Sequence, residues 1–419
     1  MLRRQKILFL NAVCAENKGN MEQEYPYLRI GTAYYKIVQK PLASGDRMTL
    51  LLPWSVECIK QDHGKSYLSG IPKYDGFCFV PSHLHYQRFI GSFYNRYHPF
   101  IHVPKIGQPE RTLTYLSHIF GDQLEYGLDY LKILLEMPMQ MLPILCLVST
   151  ERNTGKTTFL NLLKAVFGDN MTINTNEDFR SNFNAEWAHK VIIGVDETFL
   201  ERREDSERLK NLSTATFYKS EAKGQDRQEI EFFGKFILCS NNEDNFVLVD
   251  PGETRYWIRK IPVFENEDQG LLGALKKEIP LFIHYLTGRK LSTPKQSRMW
   301  FTAQQIATPA LKKVIRQNRN KLELEIAGIL LTIADGKEVE EVKFCVGDVQ
   351  DWLNKKGFRN HDTTAIRRVL QNVWNLKPAA NSNSYNQYKI GPDGTIYEST
   401  QKGRYFNMSI KAIEKINDS

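Results

Sequence analysis

The segment that most restricts how this chain can fold is the apolar run Ile144 to Val148. It breaks directly into Ser149-Thr150-Glu151-Arg152-Asn153-Thr154-Gly155-Lys156-Thr157-Thr158 and resumes with Phe159, Leu162, Leu163 and Val166 at helical spacing. A buried strand, a polar turn and a helix in that order call for a sheet covered by helices. The turn also has a chemical reading. Binding a phosphate needs backbone N–H groups turned inward, a glycine for close approach, a lysine reaching the β/γ-phosphates and a hydroxyl for Mg²⁺. Gly155, Lys156 and Thr157 meet those demands, flanked by Asn153, Thr154 and Thr158, and the positive end of the following helix adds to them. Thr150 stands where such loops usually carry their first glycine. Gly-Lys-Thr alone recurs by chance, so the flanking strand and helix carry the reading.

A second apolar run, Val191-Ile192-Ile193-Gly194-Val195, leads straight into Asp196-Glu197. That is a buried strand delivering two carboxylates to its C-terminal edge, where ligands of open α/β sheets bind. Asp196 suits Mg²⁺, jointly with Thr157, and Glu197 suits polarising an attacking water. Such an acid pair favours hydrolysis over the transfer chemistry of a small-molecule kinase. A third run, Phe236 to Cys239, ends in Ser240-Asn241-Asn242, which makes Asn241 the candidate for orienting the lytic water. Downstream, Gly252-Glu253-Thr254-Arg255-Tyr256-Trp257-Ile258-Arg259 offers Arg255, with Arg259 in reserve, as a cation for a neighbouring subunit's γ-phosphate. Solvated arginines on an edge strand are the plain alternative.

The alternation of apolar runs and helical patterns from Ile144 to about residue 262 predicts a mostly parallel sheet covered by helices. Residues 1–115 read as a mixed α+β region broken by Tyr25-Pro26-Tyr27, Gly70-Ile71-Pro72 and Tyr97-His98-Pro99, with Ile7 to Leu10 as a strand. A helix from Leu124 to Met137 opens a P-loop ATPase domain assigned to 116–290. Residues 291–321 read as a basic linker or surface helix containing Lys312, Lys313, Arg316 and Arg319. In 322–419, helical patterns at Leu322 to Ala334, Val346 to Lys355 and Thr363 to Leu376 precede two strands joined by Gly391-Pro392-Asp393-Gly394, the order of a winged helix. The expected class is therefore α/β.

Composition sets limits. With 42% hydrophobic residues the chain can bury large cores. The net charge of +8 permits a polyanionic partner without requiring one. The six cysteines form no CxxC pair or Cys/His cluster, so the spacing suggests neither a zinc site nor a disulfide framework, and a reducing cytoplasm fits best. No stretch approaches the roughly 18 apolar residues of a membrane span.

The order of Walker A, Walker B, a lysine-bearing stretch, a strand ending in Ser-Asn and then an arginine resembles superfamily 3 helicases. It is most similar to the helicase part of phage and mobile-element primase–helicase proteins, and Asn95-Arg96-Tyr97-His98-Pro99 and Phe183-Asn184 add to the likeness. It covers about residues 95 to 265. The resemblance implies an AAA+-like core, ATP and Mg²⁺ as cofactors, a hexameric ring around single-stranded DNA, and a bacterial host cytoplasm. It also implies that Lys223, in Lys223-Gly224-Gln225-Asp226, or else Lys219, grips DNA in the pore. The N-terminal region lacks a paired-carboxylate pattern with a downstream histidine, so a primase, or a loader, is expected as a separate partner. In the winged-helix region Arg367 and Arg368 are candidates for reaching DNA, with Arg359 and Lys377 behind them. Tyr94 and Tyr97 are either base-stacking or core aromatics. The competing reading is a replication initiator or regulatory DNA-binding ATPase that switches assembly without processive unwinding.

Overall fold

The computed structural model describes residues 25–41, 47–181, 184–200, 202–221, 227–249, 253–266, 268–358, 362–391 and 394–417. The expected strand at Ile7 to Leu10, Lys223 and Arg359 lie outside them. Two compact units emerge: residues 1–199, 207–243 and 254–310, and residues 200–206, 244–253 and 311–419.

The first unit begins with strands β1 (Tyr27–Ile30), β2 (Ala33–Pro41) and β3 (Arg47–Trp54), an antiparallel meander joined by the parallel β4 (Lys73–Tyr74) in the order β3-β2-β1-β4. Tyr27, Ile59 of the helix Val56–His63, and Ile71 form a small core beneath it. A three-stranded patch follows, with β5 (Gly76–Cys78), β6 (Phe89–Ile90) and β7 (Phe93–Asn95) in the order β5-β7-β6. Asn95 closes this patch. Its buried amide donates to Val80 O (3.1 Å) and Gln87 O (2.9 Å) and accepts from the amides of Val80 (3.1 Å) and Tyr97 (3.0 Å). Tyr97 is 1% exposed and bonds the ring of His83, so it is core and not a base-stacking platform.

The rest of this unit is organised by β8 (Ile144–Val148), β9 (Met171–Asn174), β10 (Ile192–Val195), the hairpin β11 (Phe217–Ser220) and β12 (Gln228–Glu231), β13 (Lys235–Ser240) and β14 (Tyr256–Lys260). Five of these form an all-parallel sheet in the order β14-β8-β13-β10-β9. Every residue of β8, β10 and β13 is buried, as continuous apolar runs require of a sheet covered on both faces. The helices Glu110–Phe120, Leu124–Glu136, Lys156–Phe167 and Leu271–Gly288 share one core with it, around Phe120, Tyr130, Phe159 and Trp257. Gly194 explains the interruption in its apolar run. A Cβ there would lie 3.0 Å from Leu160 and 3.3 Å from Met171, so a larger residue would press these side chains away and glycine lets the helix Lys156–Phe167 pack this close. Asp129, wholly buried, ties the helical layer to the chain beyond it. It accepts bonds from the backbone of Ser292 and Thr293 and the side chain of Ser292, and pairs with Arg289 at 2.5 Å.

In the second unit the helix Pro309–Lys337 runs without a break through the basic stretch and the pattern expected to begin at Leu322, because Leu311, Val314, Ile326, Leu330 and Ile333 are all buried along it. The elements after it are β15 (Glu341–Phe344), the helices Val346–Lys355 and Thr363–Arg368, the antiparallel pair β16 (Asn383–Ile390) and β17 (Ile396–Gly403), β18 (Phe406–Ser409) paired antiparallel to β15, and the helix Ile410–Asn417. The helical pattern expected to reach Leu376 instead passes into a π-type turn at Val369–Val373. Asp348 anchors the hairpin, accepting from Tyr385 Oη (2.7 Å) and the Cys345 amide (2.7 Å), while Trp352 donates to Tyr388 O (2.7 Å). Among the described residues, no helix is long and apolar enough to cross a membrane.

Candidate nucleotide-binding site

The loop after β8 turns twice through left-handed backbone, at Asn153 (φ 55°) and Gly155 (φ 88°), before the helix Lys156–Phe167 begins. Gly155 is doubly required. A side chain resists that φ, and a Cβ would lie 3.0 Å from Phe264 and 3.2 Å from Tyr115. Those two rings belong to a brace behind the loop. Tyr115 Oη donates to Gly155 O (2.8 Å), the Phe264 amide to Asn153 O (3.2 Å), and the His118 ring meets Thr154 O (3.1 Å) while stacking 4.0 Å from Phe264. The loop is thereby held by its carbonyls, which leaves the opening amides of the helix for an anion.

Lys156 is 7% exposed and folds back on the loop, donating to Thr154 Oγ1 (3.0 Å), Ser149 O (3.4 Å) and Glu151 O (3.4 Å). Burial pulls its ammonium below the ordinary lysine value, with Cys239, Asp196 and Glu243 pulling the other way. Thr157 Oγ1 donates to Asp196 Oδ2 at 3.1 Å, which brings the hydroxyl of the first motif onto the carboxylate of the second. A hydroxyl and a carboxylate in contact are the hard oxygen donors that suit Mg²⁺.

The acid pair sits on a fixed turn. The Asp196 amide donates to Asn174 O (3.2 Å), and Asp196 Oδ1 accepts from the Glu197 amide (3.0 Å). Glu197 has φ 50° and an exposed side chain, while Asn176 clamps its carbonyl (2.9 Å) and the Phe199 amide (3.0 Å). Next door, the Thr198 amide donates to Cys239 O (2.6 Å) and Ser240 Oγ to Thr198 O (2.7 Å), so β13 holds the turn from the side. Because β13 lies between β8 and β10, it delivers Asn241, exposed, to the edge that carries the loop and the acids. Thr158 follows Thr157 in the first turn of the helix, half-buried.

Glu243, only 5% exposed, carries a role its sequence does not announce. Its carboxylate accepts from the Thr150 amide (3.2 Å) and pairs with Lys260 (2.9 Å), the last residue of β14. In β14 the register sets Lys260 beside Val148, at the mouth of the loop. Tyr115, His118, Phe264, Glu243 and Lys260 are site residues that the motif reading missed. Glu243, an acid just after Ser-Asn-Asn, and Lys260, next to Arg259, sit close enough to motifs to be noticed from sequence.

Arg255 lies at the other edge of the sheet. Its carbonyl accepts from the Ile144 amide (2.8 Å) at the start of β8, so it stands away from its own chain's loop. Arg259, the reserve candidate, pairs with Asp122 (2.8 Å) and bonds Gln123 Oε1 (3.1 Å). Lys219 is exposed on β11, opposite Glu229 in the hairpin whose tip carries Lys223 in sequence. Buried Asn184 holds the end of β11 that leads into the hairpin's connection, accepting from the Glu221 amide (2.8 Å) and donating to Lys219 O (3.0 Å). In the second unit, Arg367 and Arg368 are exposed on the helix Thr363–Arg368, capped by Asp362.

Fold and site together describe a mixed α/β protein with a P-loop-like core. A family model described as a family of unknown function, DUF5906, matches residues 147–256, which span the loop, the acid pair, the hairpin and β13. No curated protein matches the chain. Among solved structures, an apo structure of the NrS-1 C-terminal region aligns at 14% identity and TM-score 0.57, covering 95% of this chain and 99% of that one. An A-form apo structure of the same region aligns at 15% identity and TM-score 0.55, covering 89% and 94%. A JCV helicase structure aligns at 12% identity and TM-score 0.30 over 56% of this chain and 67% of that one, too loosely to support an argument. The NrS-1 likeness extends across the chain and concerns the fold.

Proposed function

We propose that the chain is an ATP-dependent translocase on single-stranded DNA, a helicase with an AAA+-like core that works as a ring. The observation that carries this reading is the 3.1 Å contact between Thr157 and Asp196, made across a sheet in which β13 separates the strands that lead to them. In this reading, the amides of Asn153 to Thr158 cradle the phosphates and Lys156 leaves the loop carbonyls to meet the β/γ-oxygens. Thr157 and Asp196 would hold Mg²⁺, which supplies charge neutralisation at the phosphates. Glu197, exposed beside that pair, orients and polarises the water, and Asn241 fixes its direction.

The ring is proposed from the position of Arg255. Arg255 stands at the sheet edge remote from its own loop, where it would serve a neighbour's nucleotide. An arginine supplied in trans contributes roughly 10³ to 10⁵ in rate. The β11–β12 hairpin, with Lys219 on its strand and Lys223 between its strands in sequence, would carry the DNA contact, and a separate primase or loader would be its partner. We read residues 322–419 as a winged-helix-like domain in which Arg367 and Arg368 reach DNA. That domain also supports the second reading, an initiator that switches assembly on DNA without processive unwinding. Single-turnover unwinding of a forked duplex separates the two. Wild type is expected to separate the strands and Lys156→Ala to leave them paired. Unwinding that persists in Lys156→Ala would sink the proposal, and origin-selective binding with no strand separation would favour the second reading.

A further inference from the structure

A cavity of about 560 Å³ opens beside the hairpin, within the roughly 300–1,000 Å³ usual for ligand sites. One wall is β12, from Gln228 to Glu231, with Ser220 of β11. The other comes from the N-terminal patch, with Phe77, Phe79 and Arg96, and from His189. The Arg96 guanidinium lies 3.8 Å above the Phe77 ring, which Tyr35 supports edge-on at 5.5 Å, and Arg96 has no ion-pair partner among the described residues. His189 Nδ1 is buried with no hydrogen-bond partner. Burial, helped by the charges of Arg96 and Lys190, pushes this imidazole down to about 4, so it is neutral near pH 7 with one ring nitrogen ready to accept.

The chemistry of the walls decides the occupant. Two acidic residues, Glu229 and Glu231, line the cavity against one arginine, so its lining is net negative and a phosphate would meet net repulsion. A nucleobase has flat apolar faces and, on its edges, both donors and acceptors. It can stack on the Phe77–Arg96 ladder while the carboxylates and imidazole take its edge groups. The hairpin wall places such a base beside the element that carries Lys219. We propose that this cavity takes one unstacked nucleobase of the single strand that the hairpin grips. This deepens the translocase reading and rests on it.

The test is fluorescence anisotropy of the full chain with a labelled single-stranded DNA, and with an oligonucleotide of the same length built entirely of abasic sugars. Wild type is expected to prefer the natural strand by about 5-fold to 100-fold, the range of one stacked base. Phe77→Ala is expected to bind both alike while keeping the salt dependence of wild type, because phosphate contacts are untouched. Arg96→Gln, a cavity-facing change, is measured beside it, so that misfolding of Phe77→Ala, read from its thermal unfolding, leaves a second arm in which the preference should also shrink. Equal binding of the two strands by wild type overturns the proposal, as does a preference that survives both substitutions. Failure of wild type to bind either strand overturns the DNA reading itself.

Discussion

Replacing Glu243 tests whether the strand that carries Asn241 holds the phosphate loop in shape. The carboxylate is 5% exposed and accepts the Thr150 amide at 3.2 Å, and its partner Lys260 is 61% exposed. A hydrogen bond to a charged group contributes about 1.5–3 kcal/mol, and an ion pair with so exposed a lysine no more than about 1 kcal/mol. Glu243→Ala removes both and leaves the Thr150 amide unbonded at the loop. The worked cost is about 2–3 kcal/mol, or roughly a 30-fold to 150-fold loss of ATP affinity. Glu243→Gln keeps an acceptor at the same place and should lose only about fivefold. Titrating both variants with a fluorescent ATP analogue at fixed Mg²⁺ distinguishes them. Equal effects of the two variants, or no loss beyond twofold in either, would refute the idea that this acceptor shapes the loop.

Three further predictions come from packing and burial. Asp129→Ala breaks a wholly buried network and leaves Arg289 with the exposed Glu125, so the first unit should lose about 2–4 kcal/mol by urea denaturation; a loss under about 1 kcal/mol would contradict the burial argument. Gly194→Ala puts a methyl 3.0 Å from Leu160 and should cost about 1–3 kcal/mol in the same assay. Burial pushes His83 down to about 4 from its ordinary 6.5. The unfolded chain thus binds the proton more readily, and the stability His83 confers is full above pH 6.5 and lost as pH falls through 4, up to about 3 kcal/mol in all. His83→Asn should flatten that pH dependence of the urea midpoint.

How much of this was legible in the sequence depended on whether the signal was local. Ile144 to Val148 and Val191 to Val195 read as buried strands because a strand covered on both faces is apolar throughout, and the structure makes both fully buried. The hairpin at Gly391 to Gly394 was readable from turn chemistry. The long helix Pro309–Lys337 is not legible as one element because its polar middle, Gln317 to Lys321, masks the apolar spacing on either side. Strand order was not readable. Nothing in Phe236 to Ser240 says that it inserts between the other two strands, because that is decided by packing over long sequence separations. The brace of Tyr115, His118 and Phe264 was hidden for the same reason, since it approaches the loop from both sides in sequence. The cavity beside the hairpin joins residues from Phe77 to Glu231 that no periodicity connects.

The most direct test of the central claim is steady-state ATP hydrolysis by the purified chain, with and without single-stranded DNA, for wild type and Lys156→Ala. The account predicts hydrolysis that DNA stimulates and that Lys156→Ala abolishes. Hydrolysis indifferent to DNA, or unchanged by the loss of Lys156, would contradict it.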